Sequence, residues 1–177
     1  VAVVTLNRPD ARNALTLEMK HALAQSLPAL GADPDVGCVL LTGAGSAFCS
    51  GGDTKRMARD GKLPSPEERT AQLRWEHGIP LALHTMPKPT LAALPGPAAG
   101  AGFALALACD LRIAAESTFV TTAYARLGLS GDYGSSWFLT QRVGVHRAKE
   151  IAMTAEMMDA ARAADVGFVN AVVPVDE

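Results

Sequence analysis

The order of apolar and polar positions along the chain predicts strands that alternate with helices. Residues 36–42 and Thr90–Leu94 are short, almost continuously apolar runs, which are typical of strands buried on both faces. Behind Thr16, a favourable N-cap residue, leucine and methionine recur at helical spacing and predict a helix that ends near Pro28 or Gly31. The alternation of the two kinds of element predicts an α/β fold with largely parallel strands.

Further elements follow from the same patterns and from helix-start signals. Ser65-Pro66-Glu67-Glu68 has the residues of a capping box, so a helix is expected to begin there and to kink or end at Pro80. The other predicted strands are residues 1–6, 111–114, 119–121 and 168–173, and the other predicted helices are residues 103–108, 135–143, 146–154 and 160–164. The sequence shows no internal repeat and no low-complexity linker, so we expect one domain over residues 1–177.

Composition and charge narrow the classes of protein that remain. The chain has 177 residues and a formal net charge of −2 without a basic stripe, which disfavours nucleic-acid binding. No apolar run approaches the ~20 residues that span a bilayer, so we expect no membrane partner. Cys38, Cys49 and Cys109 show no CxxC spacing, which favours a reducing, cytoplasmic location over disulfides or a zinc site. The chain opens at Val1 without a methionine, so we expect a truncated start.

Two glycine-rich turns carry the candidate chemistry. Residues 43–52 and 96–102 each follow a predicted strand, and such turns present unpaired backbone N–H groups to negative charge. One turn can bind a phosphate, whereas two that converge would form an oxyanion hole from two backbone amides. Nucleotide-binding fingerprints are incomplete, because Leu105 replaces the third glycine of GxGxxG and a Gly-Lys-Ser/Thr sequence is absent. The structural alternative is that both runs serve only tight turns and close helix packing.

Four separated segments together resemble the enoyl-CoA hydratase/isomerase family, also called the crotonase superfamily. In chain order they are LNRPDARNALTLEM at 6–19, AFCSGGDTKRM at 47–57, MPKPTLAALPGPAAGAGFALALACDLRIAAEST at 86–118 and ARLGLSGDYGSSWFLTQRVG at 125–144. The resemblance covers essentially the whole chain and implies a ClpP/crotonase-like α/β spiral of ββα units. Members of the family run past the end of this chain, so we also expect the C-terminal helical region to be missing.

The resemblance assigns the oxyanion hole to one amide from each glycine turn. It implies that the N–H groups of Gly52 and Ala101 bind the thioester oxygen, and that Gly51 and Gly100 belong to the same substrate-binding turns. Asp53 is expected to cap the helix after the first turn and to hold the geometry of that turn.

The resemblance also places residues along the CoA moiety. Ser50 matches a position whose backbone contacts the CoA adenine, and Arg12 lies in the loop where a guanidinium can meet a CoA phosphate. Lys55 and Arg56 are two further cations that can attract the phosphates, although solvated charge is the ordinary reason for such residues.

Two departures from the family pattern change the expected mechanism. Hydratases of the family use two glutamates, and this chain has Ala104 and Tyr124 there, neither of which titrates usefully near neutral pH. Asp132 is the remaining acid on a candidate active-site loop. In some isomerases of the family and in 4-chlorobenzoyl-CoA dehalogenases, an acid at this point of the motif is the proton shuttle or the nucleophile. Tyr124 and His77 are similar to an aromatic residue and a histidine of the dehalogenase branch. The structural alternatives are that Asp132 caps a turn, His77 packs on a helix and Tyr124 lines the acyl pocket or packs in the core.

These observations predict an acyl-CoA enzyme of fatty acid metabolism that stabilises a thioester enolate, with Asp132 transferring the proton in an isomerase-type reaction. The expected catalytic set is Asp132, Gly52, Ala101 and His77. The alternatives are a dehalogenase- or hydrolase-like enzyme that uses Asp132, and a non-catalytic acyl-CoA-binding subunit. The resemblance implies no metal and no redox cofactor, because CoA is part of the substrate. It also implies a homotrimer or a dimer of trimers.

Overall fold

The computed structural model describes residues 1–53 and 65–175, and its framework is a parallel sheet. The strands are β1 Ala2–Leu6, β2 Val39–Gly43, β3 Thr90–Leu94, β4 Ala98–Ala99, β5 Leu111–Ala115, β6 Phe119–Thr121, β7 Met158–Asp159 and β8 Ala171–Val173. The larger sheet has the order β1-β2-β3-β5-β8, and every neighbouring pair in it is parallel. A smaller sheet has the order β4-β6-β7. The predicted parallel α/β architecture is therefore confirmed.

Helices connect these strands, as the sequence patterns predicted. They are α1 Leu17–Ala32, α2 Pro66–His84, α3 Ala101–Ala108, α4 Ser135–Val143, α5 Val145–Thr154 and α6 Ala160–Asp165, with 3₁₀ helices at Pro9–Ala11 and Tyr124–Leu127. Both predicted caps are confirmed, because the Thr16 side chain accepts from the Met19 N–H, and Ser65 and Glu68 form a reciprocal capping box. Among the described residues, no helix is long and apolar enough to cross a membrane.

The sequence patterns predicted two strands that begin earlier than the observed strands do. The run 36–42 enters the sheet only at Val39, because β1 begins opposite Val39 and the preceding residues form a turn in which the Val36 N–H donates to the Asp33 carbonyl. The run 168–173 becomes a strand only at Ala171, because the N–H groups of residues 168 and 169 bind the Ala163 carbonyl and end α6. In both cases competing hydrogen bonds set the boundary.

Neither helix ends at its proline: α1 ends next to Gly31, one of its two predicted ends, and the predicted end of α2 at Pro80 is not observed. Pro28 lies inside α1, which continues to Ala32, and Pro80 lies inside α2, which continues to His84. A proline in a helix interior costs about 3 kcal/mol. The cost is offset because α1 and α2 pack against each other and bury Leu27 and Ile79 beside the prolines.

Helix α3 lies at the centre of the core, and all eight of its residues are buried. It packs against α2 and α4. Two guanidinium groups bind its C-terminal end, since Arg112 donates to the Cys109 carbonyl at 2.7 Å and Arg142 donates to the same oxygen at 3.3 Å. These cations complement the negative end of the helix dipole and leave the positive end at Ala101 for the glycine turns.

Candidate active site

The topology brings three loops to one edge of the larger sheet. Because β1, β2 and β3 are adjacent and parallel, the loops that follow them leave at the same end. The segment 49–52 lies between the other two loops: its Ser50 N–H donates to the Arg12 carbonyl at 2.9 Å, and its Cys49 carbonyl accepts from the Ala99 N–H at 2.9 Å. The first glycine turn is therefore hydrogen-bonded to both neighbouring loops.

Two glycines make this close approach possible. Gly51 has φ +96°, a left-handed conformation that favours glycine, and a Cβ at this residue would lie 2.9 Å from the Ala99 oxygen. A Cβ on Gly102, at the start of α3, would lie 2.3 Å from the Cys49 oxygen. Only the absence of these side chains lets the first glycine turn pack directly on the second turn and on α3.

The two amides proposed for the oxyanion hole are unpaired within the part of the chain that the structure describes. Within residues 1–53 and 65–175, neither the Gly52 N–H nor the Ala101 N–H donates a hydrogen bond. Ala101 is the first residue of α3, where a helix leaves its N–H groups without intrahelical partners. Gly52 is only partly exposed and Ala101 is 6% exposed. Both N–H groups therefore remain candidate donors to a ligand oxygen.

Asp132 and Tyr124 form a hydrogen-bonded pair. The Tyr124 hydroxyl donates to Asp132 Oδ1 at 2.6 Å, and both residues are half-buried. Burial first, and then the adjacent Asp132 carboxylate, raise the pKa of Tyr124 far above its usual range. Tyr124 is therefore a permanent donor at neutral pH and holds one carboxylate oxygen, which leaves Oδ2 free of Tyr124.

The Tyr124 ring also connects this pair to the glycine turns. A Cβ on Gly100 would lie 4.0 Å from Tyr124 Cε1 and 3.9 Å from Gly51 Cα. The Tyr124 ring therefore lies beside the second glycine turn, near Gly100. Ala104, where hydratases carry a glutamate by the resemblance, is fully buried in α3 and brings no ionisable group.

The predicted CoA-contacting residues Arg12 and Ser50 lie side by side on the surface. Both are exposed, and the Ser50 hydroxyl donates to the Ala11 carbonyl at 3.4 Å in addition to the backbone bond with Arg12. Asp53 pairs with Arg8 at 3.1 Å, which ties the first glycine turn to the loop after β1. The helix that Asp53 was expected to cap, and the cations Lys55 and Arg56, lie outside the described residues.

His77 contacts the loop that carries Asp132. Its Nε2 accepts the Tyr133 N–H at 3.1 Å, and its ring meets the Tyr133 ring edge-on with centroids 6.1 Å apart. The imidazole is exposed, so Nδ1 is the nitrogen left for other partners. The catalytic role of His77 stays a prediction, and its observed contact is with the protein backbone.

Two residues that the sequence analysis did not assign to the site, Asn13 and Cys49, hold the first glycine turn in place. Asn13 is fully buried with φ +56°, and its amide donates to the Ala44 and Ala47 carbonyls at 3.0 and 2.7 Å. Asparagine tolerates this conformation better than most residues, which is a signal present in the sequence. The Cys49 thiol donates to the Asn13 carbonyl at 3.2 Å, and burial raises its pKa to about 12, so it is a neutral structural group.

The comparison with known families decides the membership of the chain. A family model described as Enoyl-CoA hydratase/isomerase matches residues 1–177. The chain belongs to the enoyl-CoA hydratase/isomerase family. A crystal structure of an enoyl-CoA hydratase from Polaromonas sp. JS666 is 38% identical with a TM-score of 0.89, and it matches 98% of this chain and 67% of that one. The predicted crotonase-like fold is therefore confirmed.

Two curated relatives cover nearly the whole chain. A probable enoyl-CoA hydratase from Rhodobacter capsulatus is 41% identical over 98% of this chain and 65% of its own length. The 1,2-epoxyphenylacetyl-CoA isomerase of Escherichia coli K12 is 37% identical over 98% of this chain and 66% of its own length. The chain thus spans just under two thirds of these family members.

Proposed function

We propose that this protein is an acyl-CoA enzyme that isomerises an enoyl-CoA thioester through an enolate, with Asp132 as the acid and base. The observation that carries the proposal is the 2.6 Å bond between Tyr124 and Asp132. The Tyr124 ring lies beside Gly100 of the second glycine turn, and the Gly52 and Ala101 N–H groups have no acceptor among the described residues. These observations support a site in which Asp132 supplies a carboxylate and the two amides supply donors to an oxyanion.

The two amides are proposed to bind the thioester oxygen. Negative charge grows on this oxygen when the α carbon loses a proton, so donors aimed at it favour the transition state over the ground state. The Ala101 donor gains from its position at the N-terminus of buried α3. Removing one such donor from an oxyanion hole typically costs about 10²–10³-fold in kcat.

Asp132 is proposed to carry the proton. Its carboxylate takes a proton from the α carbon of a 3-enoyl-CoA; the electron pair of that C–H bond forms a double bond to the thioester carbon, and the carbonyl π pair moves onto the thioester oxygen. The carboxylic acid then returns the proton to the γ carbon, which gives the 2-enoyl-CoA and restores Asp132. The hydrogen bond from Tyr124 fixes Oδ1, so that Oδ2 is the oxygen presented to the substrate. No resident cofactor takes part in this proposal, since CoA enters with the substrate.

An isomerase fits this chain better than a hydratase. Ala104 and Tyr124 occupy the positions of the two glutamates that the resemblance assigns to hydratases, so a group to activate water is missing at both. The E. coli relative named as an isomerase also supports this choice. A dehalogenase- or hydrolase-like reaction of Asp132 and a non-catalytic binding subunit remain the alternatives.

The test is turnover of a small panel by the full-length protein and by Asp132→Asn. The panel contains 2-enoyl-, 3-enoyl-, haloaryl- and saturated acyl-CoA thioesters, and products are followed by mass spectrometry in D₂O. We expect isomerisation with deuterium incorporation, a kcat lower by on the order of 10²–10⁴-fold in Asp132→Asn, and a kcat about tenfold lower in Tyr124→Phe.

Each other outcome contradicts the proposal in a defined way. Asp132-dependent release of halide or free CoA would support the dehalogenase or hydrolase alternative. Binding of every thioester with turnover of none would support a non-catalytic subunit. The proposed trimer or dimer of trimers is tested separately, by light scattering of the full-length protein.

A further inference from the structure

A buried tyrosine follows Asp132 in an otherwise exposed loop. Residues 125–131 are exposed, whereas Tyr133 is 1% exposed. Tyr133 also has φ +52°, a left-handed conformation that is unfavourable for a residue with a large side chain. Such a conformation persists only where surrounding contacts hold it, and strained residues of this kind cluster at functional sites.

Two consecutive residues of α2 hold Tyr133 at both of its ends. The Tyr133 N–H donates to His77 Nε2 at 3.1 Å, and the Tyr133 hydroxyl donates to Glu76 Oε2 at 3.4 Å. The second bond is long, but Glu76 is the only partner of this hydroxyl among the described residues. Burial, and then the charge of Glu76, raise the pKa of Tyr133, so its hydroxyl stays a donor.

Glu76 is itself an unusual residue, a carboxylate that is only 2% exposed. Its Oε1 accepts from Lys20 at 2.8 Å and from Gln72 at 2.7 Å, which leaves Oε2 for Tyr133. A buried charge is tolerated only when it is paired and hydrogen-bonded. The Lys20 pair therefore fixes Glu76 between α1 and α2, and Glu76 in turn provides a fixed point beneath the loop.

We propose that Glu76, His77 and Tyr133 form a loop anchor that positions Asp132 for proton transfer. This inference rests on the proposed role of Asp132. Without the anchor, residue 133 can leave its left-handed conformation, and the backbone that carries Asp132 turns with it. The bond between Tyr124 and Asp132 then has to hold the carboxylate alone. In this arrangement His77 acts through the loop backbone and not on the substrate.

The anchor is tested by variants that each remove one of its bonds in the full-length protein. Tyr133→Phe removes a single oxygen and keeps the ring packing. We expect its kcat for 3-enoyl-CoA isomerisation to fall about tenfold, with KM changed less than about twofold, because the loop shifts and the binding surface for CoA does not. The His77→Leu variant loses the acceptor for the Tyr133 N–H, so its kcat should fall by a similar factor. The His77→Gln variant keeps an acceptor oxygen, so it should retain most of the original kcat.

A matched control lies on the same helix. Glu67 is exposed in the first turn of α2, so Glu67→Gln should leave kcat unchanged while Glu76→Gln lowers it. Circular dichroism of each variant checks that it is folded. Tyr133→Phe decides the question if Glu76→Gln does not fold, since it leaves the pair of Glu76 with Lys20 intact.

The outcomes separate this inference from the proposed function. The anchor is overturned if the Tyr133→Phe variant is folded and has the kcat of the unchanged protein. It is also overturned if the His77→Gln variant is as inactive as His77→Leu, because that result would mean that the imidazole contacts substrate. If Asp132→Asn is inactive while Tyr133→Phe keeps full activity, only the proposed anchor is refuted. If Asp132→Asn retains full isomerase activity, or the unchanged protein has none, the proposed function and the anchor fall together.

Discussion

The contact between Gly102 and the first glycine turn gives the sharpest prediction from this structure. In Gly102→Ala the new Cβ would lie 2.3 Å from the Cys49 oxygen and 2.6 Å from the Cys49 Cβ. Ordinary contacts begin near 3.4 Å, so α3 and the turn must separate by roughly 1 Å. Neither neighbour can yield as a flexible side chain would, because one contact is with backbone and the cysteine is fully buried.

The separation has two measurable consequences. Overpacking of this kind lowers the free energy of unfolding by about 1–3 kcal/mol. It also moves the Ala101 N–H away from the Gly52 N–H, and a misplacement of ~1 Å at a reacting centre can lower kcat by about 10²-fold. Urea unfolding measures the first effect, and 3-enoyl-CoA turnover at saturating substrate measures the second.

Gly78 supplies a matched control, because it is a second helix glycine and a Cβ there would meet nothing within 4 Å. Gly78→Ala should raise the free energy of unfolding by about 0.5–1 kcal/mol through helix propensity, with kcat unchanged. The reasoning is refuted if Gly102→Ala is as stable as Gly78→Ala, or if it is destabilised but keeps full kcat. The second result would mean that the spacing of the two amides does not limit the reaction.

Three further predictions follow from local contacts. Ser65→Ala removes the capping box with Glu68 and should lower the free energy of unfolding by about 1 kcal/mol in urea, and an unchanged midpoint would contradict this. Iodoacetamide at pH 8 should modify half-buried Cys38 much faster than Cys49, because burial raises the pKa of Cys49 to about 12 and leaves very little reactive thiolate at pH 8. Equal labelling by peptide mass spectrometry would show that the turn opens. Asn13→Ala leaves the buried Ala47 carbonyl and the partly buried Ala44 carbonyl without their donor and should lower the free energy of unfolding by about 3 kcal/mol. A loss below about 1 kcal/mol would show that water replaces the amide.

The sequence by itself determined the elements that depend on local chemistry. Hydrophobic periodicity located β3 at Thr90–Leu94 and α4 at Ser135–Val143 at their observed bounds. The caps at Thr16 and Ser65 were readable because a capping bond joins residues three positions apart. The two glycine turns were also recognisable, since each is a glycine-rich run that follows a short apolar run.

Only the tertiary structure decided the features that depend on residues distant in sequence. Pro80 stays inside a helix because the packing of α1 on α2 outweighs the helix-breaking preference of proline. The run 36–42 becomes a strand only at Val39, because its partner β1 sets the length of the hydrogen-bonded ladder. The anchor of Asp132 was invisible for the same reason. Glu76 and Tyr133 are 57 positions apart, and no local pattern marks a buried carboxylate whose partners come from two other elements. Local free energies can be estimated from neighbouring residues, whereas burial and pairing of charge exist only once the chain has folded.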